Sequence, residues 1–192
     1  MKIAFIIDPL DSLKPYKDSS VFMMREAAKR GRSLFVWEPR RMALSGQSVT
    51  AFASEITVSE SNDNWVTVVE EKERALTEFD AILMRKDPPF NMEYFYSTLL
   101  LEAAQAQGAK VFNRAKSLRD YNEKFAITKF AQFTSPTMVT ADMQRVHSFI
   151  DLHQDVILKK LDGMGGTSIF RVRADDPNRN AIVEVQTVMG AE

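Results

Sequence analysis

Apolar residues in this chain come in short runs separated by glycines, prolines and polar caps, at spacings that alternate strand with helix. Lys2-Ile3-Ala4-Phe5-Ile6-Ile7 reads as a buried strand, broken at once by Asp8-Pro9. Asp18-Ser19-Ser20 supplies an N-cap, good helix formers run from Val21 to Arg30, and Gly31 stands at the C-cap position. Ser33 to Trp37 is the next strand, and strand, helix and strand at this spacing make a βαβ unit. The pattern recurs: a helix over Glu70 to Glu78, a strand from Asp80 to Met84, a helix from Glu93 to Gln107 stopped by Gly108, and a strand from Ala109 to Phe112. Between these units Ser45-Gly46-Gln47-Ser48 marks a turn into a β-rich stretch, Val49 to Val58, read as a hairpin. The expectation for this half is an open α/β domain.

Beyond it, Ser117-Leu118-Arg119-Asp120 reads as a capping box opening an amphipathic helix that runs through Gln132. Ser135-Pro136 ends that pattern and Thr137-Met138-Val139 begins a strand. A helix from Asp142 to His153 follows, then strands from Asp155 to Leu161 and from Ser168 to Arg173, then a helix from Asn178 to Met189. The two strands flank Asp162-Gly163-Met164-Gly165-Gly166-Thr167-Ser168, which holds three of the chain's seven glycines. Glycine adopts positive φ and lets backbone N–H groups approach a ligand, and Thr167 and Ser168 add hydroxyls, so the loop suits phosphate oxygens. It is neither GxxxxGK[ST] nor GxGxxG, and it joins two strands rather than a strand to a helix. A glycine loop closing a hairpin, with Lys159 or Lys160 on the first strand, has the form of a lid over nucleotide phosphates, as in the loop that covers ATP in protein kinases. The other reading is an ordinary hairpin with solvated lysines. Lys159 and Lys160 alternate faces, so at most one of them turns toward a ligand under the loop.

Composition narrows the classes. At 192 residues, 45% hydrophobic and 27% charged, the chain fits one large domain or two small ones. Its 25 basic and 26 acidic side chains leave a net charge of -1, and no basic patch argues for nucleic acid. The absence of cysteine removes disulfides, thiolate metal sites and a cysteine nucleophile. His147 and His153 lie six apart on a helix and do not share a face, against a histidine metal pair or a catalytic triad. No apolar run reaches the roughly 18 residues that span a bilayer, and the first strand is too short for a signal peptide, so a cytoplasmic protein without membrane contact is expected.

Ligands of open α/β sheets sit beyond the carboxyl ends of the strands, where Asp8-Pro9, Arg85-Lys86-Asp87-Pro88-Pro89-Phe90 and Asn113-Arg114 all fall. The doubled proline fixes a loop on which Arg85 and Lys86 present cations to a carboxylate or phosphate. Asp18-Ser19-Ser20 offers N–H groups at a helix N-terminus, suited to an anion, although plain capping explains them equally well. Without GxGxxG after the strand ending at Ile7, a nicotinamide-dependent oxidoreductase is a poor fit.

Four segments, Lys17-Asp18-Ser19-Ser20, Met84-Arg85-Lys86-Asp87-Pro88-Pro89-Phe90, Ser117-Leu118-Arg119-Asp120 with Asn122-Glu123-Lys124, and Ile157-Leu158-Lys159 with Leu161-Asp162-Gly163-Met164-Gly165-Gly166, together resemble bacterial glutathione synthetase. The likeness runs in consistent order from the first strand to about residue 173. It implies an α/β chain with an open Rossmann-like (pre-ATP-grasp) substrate domain over residues 1–120, followed over 121–192 by the first α+β lobe of an ATP-grasp fold without its C-terminal lobe. It further implies ligation of γ-glutamylcysteine to glycine through an acyl phosphate, with ATP and Mg²⁺, in a homotetramer. On it, Lys124, Lys159, Gly163, Met164, Gly165, Gly166, Thr167 and Ser168 hold ATP, while Arg85, Lys86, Asp87, Asp18, Ser19 and Ser20 hold substrate. Arg32 and Lys160 depart from the family's usual histidine and proline. Members of the family continue well past residue 192 with their Mg²⁺ ligands, so no metal ligand is assigned, and the alternative expectation is a non-catalytic fragment that only binds substrate and nucleotide.

Overall fold

The computed structural model describes residues 1–86 and 89–187. The chain divides into two compact units, Met1–Asp120 and Tyr121–Glu192.

The first unit is built on a seven-stranded sheet. Strand β1 (Lys2–Ile6) leads through α1 (Ser19–Lys29) to β2 (Ser33–Trp37), which pairs with it in parallel. After β3 (Met42–Ser45), β4 (Ser48–Val58) and β5 (Val66–Ala75), strand β6 (Ala81–Met84) pairs in parallel with the other edge of β1. Helix α2 (Met92–Ala106) leads to β7 (Val111–Phe112), parallel to β6, and α3 (Ala115–Asp120) closes the unit. Strand β4 runs antiparallel to β2 and meets β3 and β2 along one edge and β5 along the other. Alternation along the central strands sends side chains to two cores. Ala4, Ile6, Phe35, Trp37 and Ile82 pack with Leu101 and Ala104 of α2, whereas Phe5, Ile7, Leu34 and Val36 pack with Val21 and Met24 of α1. Helices therefore cover both faces, and the open α/β expectation holds.

The helix expected over Glu70 to Glu78 is instead the second half of β5 and a 3₁₀ turn, Leu76–Glu78. Glu70-Glu71-Lys72-Glu73-Arg74 favours helix by propensity but has no apolar stripe at helical spacing. As a strand it pairs with β4 from Val58↔Val66 to Thr50↔Ala75, with a bulge at Glu55/Ile56. Its charges are used across the ladder: Glu71 accepts from the Ser54 hydroxyl at 2.5 Å and from Arg41 at 3.0 Å, and Glu73 accepts from the Thr50 hydroxyl at 2.7 Å. Arg74, almost buried, pairs with Glu70 at 2.8 Å and lies 5.0 Å over the Phe35 ring. Cross-strand pairing has overridden local propensity.

The second unit holds a 3₁₀ segment (Ala126–Phe133), α4 (Met143–His153), the antiparallel hairpin β8 (Asp155–Lys159) and β9 (Ile169–Arg173), and α5 (Arg179–Thr187). Asp142 caps α4 by accepting from the Gln144 and Arg145 N–H groups. Val146 and Ile150 of α4, Val156 of β8, Val172 of β9 and Val183 of α5 form its core. Arg179 ties the two helices, reaching Nδ1 of His147 at 3.0 Å and Asp151 at 2.6 Å.

Three expectations fail here. The helix begins at Ala115, so Ser117 is an interior residue and caps nothing, and it ends at Asp120 rather than running to Gln132. Residues 122–125 form a turn because the Asn122 side-chain oxygen accepts from the N–H groups of Lys124 and Phe125, both at 3.0 Å, in place of a continuing helix. Thr137-Met138-Val139 forms no strand: it is exposed, and among the described residues no strand pairs with it. The last helix is described to Thr187, so the expected end at Met189 lies outside the described residues.

Candidate functional site

In the first unit, β1 and β6 are parallel neighbours, which brings the residues after them together. Lys86 Nζ lies 2.7 Å from Asp8 Oδ1, both only a quarter or so exposed. The Arg85 backbone N–H donates to Ile6 O at 2.8 Å, extending the ladder one step and aiming the guanidinium at α1. There Arg85 donates through Nη2 to the Ser19 hydroxyl at 2.8 Å and through Nε to the Ser20 hydroxyl at 3.2 Å. Asp18 Oδ1 accepts from the N–H groups of Ser20 and Val21 at 2.7 and 3.1 Å, so these two donors are already satisfied by the cap. What faces outward is a guanidinium and the Ser19 hydroxyl beside a Lys–Asp pair, with Ser20 buried behind them, an arrangement suited to a ligand carrying carboxylate and ammonium groups. Asp87 and Pro88, expected to complete this loop, lie outside the described residues. The third strand-end cluster goes elsewhere: Arg114 lines a separate cleft of about 600 Å³ with Glu102, Gln105 and Asp120.

In the second unit, β8 and β9 pair as far as Lys159↔Ile169, and residues 160–168 close the hairpin. Gly165 and Gly166 take φ of +58° and +79°, which explains glycine at both. Gly163 has no such backbone. Thr167 secures the tip, its N–H and hydroxyl both donating to Met164 O, at 2.9 and 2.6 Å. Lys124, 17% exposed, inserts its ammonium between Glu123 and the loop, donating to Gly163 O at 2.5 Å. Lys159 is exposed at the mouth of the loop, on the same face of β8 as Asp155 and Ile157. The Arg171 guanidinium, hydrogen-bonded to Asp155 at 2.6 Å, holds that carboxyl below the usual aspartate range. Lys124 and the glycine loop, 39 residues apart in the chain, thus meet at the Gly163 carbonyl. Among the described residues no group of three or more His, Asp or Glu stands together as a metal site.

Comparison with known proteins decides the family. The prokaryotic glutathione synthetase N-terminal domain matches residues 1–119, and the ATP-grasp domain of the same enzyme matches residues 123–192. The chain belongs to the prokaryotic glutathione synthetase family. Glutathione synthetases of Ralstonia nicotianae and Nitrosomonas europaea are 47% and 48% identical to it across 99% of its length. That of Pseudomonas putida is 45% identical across all of it. The chain spans about 60% of the length of these relatives. A structure of the ATP-grasp ligase PsnB, complexed with a phosphomimetic variant of minimal precursor, Mg and ADP, shares the fold at a TM-score of 0.50 and 14% identity, over 98% of this chain and 65% of that one. As a family member the chain is mixed α/β, and no helix among its described residues is long and apolar enough to cross a membrane.

One residue at this site escaped the sequence reading. The helical pattern through Gln132 takes in Asn122, whereas its side chain organises the turn that presents Lys124. The available signal was an Asn two residues before a lysine, a common turn former.

Proposed function

We propose that the chain carries the substrate domain and the first nucleotide-binding lobe of a glutathione synthetase, residues 1–120 and 121–192 respectively. The reaction joins γ-glutamylcysteine to glycine. A carboxylate oxygen of the cysteinyl residue takes the γ-phosphoryl group of ATP, ADP departs, and the glycine amine attacks the acyl carbon and expels phosphate. The lysine–glycine-loop cluster is the observation that carries this reading. Phosphoryl transfer needs neutralised phosphate charge and fixed positions, and Lys124, Lys159 and the donors of residues 163–168 are the residue types that supply them. Arg85, Lys86, Asp18, Ser19 and Ser20, with Asp87, are assigned to the peptide substrate, whose carboxylates suit the guanidinium and hydroxyls gathered at α1.

The residues present fit a nucleotide polyphosphate. Mg²⁺ is bound through one or two carboxylates together with substrate phosphates, and no ligand for it is assigned among the described residues. A second reading for these 192 residues, which span about 60% of the length of their relatives, is a scaffold that binds nucleotide and peptide without turnover. A homotetramer is proposed on the family likeness, and a cytoplasmic location with neither nucleic acid nor membrane as partner is proposed on the balanced charge and short apolar runs of the sequence. The test is glutathione formation from γ-glutamylcysteine, glycine and ATP. The protein at the length of its relatives is expected to form it with stoichiometric ADP, and failure there removes the ligase assignment. Binding of ATP without product by the 192-residue chain supports the scaffold reading.

A further inference from the structure

The structure assigns Asn122 as a positioning residue that couples the Lys124 turn to the glycine loop. Its side chain makes three hydrogen bonds. The oxygen accepts from the N–H groups of Lys124 and Phe125, each at 3.0 Å, and the amide nitrogen donates to Leu161 O at 3.2 Å. The two backbone donors require the oxygen on their side, so the NH₂ group necessarily faces the Leu161 carbonyl. The Ala126 N–H donates to Asn122 O at 2.8 Å, closing the turn from which Lys124 projects.

Two neighbouring residues therefore hold two carbonyls of one loop, Asn122 at Leu161 and Lys124 at Gly163. The two anchors differ in kind. The Lys124 ammonium is the group that nucleotide phosphate competes for, so its bond to Gly163 O is exchanged when phosphate arrives. The Asn122 amide is neutral and has no such rival, so it keeps the stem of the loop beside the lysine in both states. Asn122 thus makes Leu161 the fixed end of the loop and Gly163 onward the moving part, and it sets the distance over which Lys124 and the loop converge on the same phosphate. This role rests on the proposed nucleotide site.

Asn122→Asp keeps the acceptor for both backbone N–H groups and loses the donor to Leu161. Asn122→Ser keeps a capping hydroxyl and is too short to reach the loop. If Asn122 only caps the turn, both variants behave as the parent. If it couples turn and loop, exchange of the Thr167 N–H, held by Met164 O at 2.9 Å, rises roughly 2- to 10-fold in both variants of the nucleotide-free 192-residue chain, the range expected for one net hydrogen bond, while protection of α4 is unchanged. ATP affinity, measured in the same samples, falls by a similar factor. Unchanged exchange at Thr167 in both variants overturns the inference, whatever ATP does. Faster exchange in a chain whose parent binds no ATP keeps the coupling and removes the nucleotide reading.

Discussion

Lys159 stands exposed at the last rung of the β8–β9 ladder, with no partner among the hydrogen bonds and ion pairs of the described residues. On the proposed reading its worth appears only with nucleotide present. Lys159→Ala is expected to leave the thermal midpoint unchanged and to weaken ATP binding about 10- to 100-fold, the range for a lost hydrogen bond to a charged group; equal affinity would remove its role. Asp151 and Asp155 make the opposite kind of contribution. Hydrogen bonds from Arg179 and Arg171 respectively lower their pKa values, so the folded state favours the charged form. Their stabilisation is present above the unfolded aspartate pKa of about 3.9 and is lost as pH falls below it through the lowered folded values. Both groups are exposed and the effect is small. Thermal midpoints of the parent and of an Asp151→Asn/Asp155→Asn variant, compared at pH 7 and pH 3, should show the parent losing more on acidification, and parallel losses would contradict the assignment. Residue types at the site were legible because strand ends and glycine loops have local signatures. Asn122 was not, because its role depends on a carbonyl 39 residues away.

The hairpin and its two helices show what an element needs beyond pattern. Helix α4 was readable from Asp142 and the apolar spacing that places Val146 and Ile150 on one face. Ile150 is fully buried against β8 and β9, and Ile150→Ala is expected to cost about 2–5 kcal/mol. Amide exchange should show the loss in α4, β8 and β9 and not in β1 or β6, since the two units have separate cores. Equal loss in both units would refute that independence. The loop between β8 and β9 gives a sharper test of backbone. A Cβ on Gly166 meets nothing within 4 Å, so Gly166→Ala pays only for its positive φ, about 1–2 kcal/mol. The exposed loop of the free chain can shed that strain by leaving the conformation, so the cost should appear as weaker ATP binding at a nearly unchanged melting temperature, and unaltered affinity would show that this loop conformation is not the binding one. Strand β5 was misread because helix formers fill Glu70 to Glu78, and only the unpaired edge of β4, invisible in the sequence, decides its state.

At the scale of the whole chain, strand order is what converts scattered motifs into sites. Parallel pairing of β1 with β6 sets Lys86 against Asp8 and brings Arg85 to α1, and antiparallel pairing of β8 with β9 returns the glycine loop to Lys124. The α/β class, the family and a division at residue 120 were legible from ordered motifs, whereas the end of helix α3 at Asp120 was hidden by helix-compatible residues on both sides. The central claim is that Lys124, Lys159 and the loop of residues 163–168 form a nucleotide-phosphate site. It is tested most directly by titrating ATP into the 192-residue chain by calorimetry beside a Lys124→Met/Lys159→Ala variant. The account predicts saturable binding, millimolar or tighter (about -4 kcal/mol or more favourable), that the double variant loses. No saturable binding to the parent, or equal binding to the variant, would contradict it.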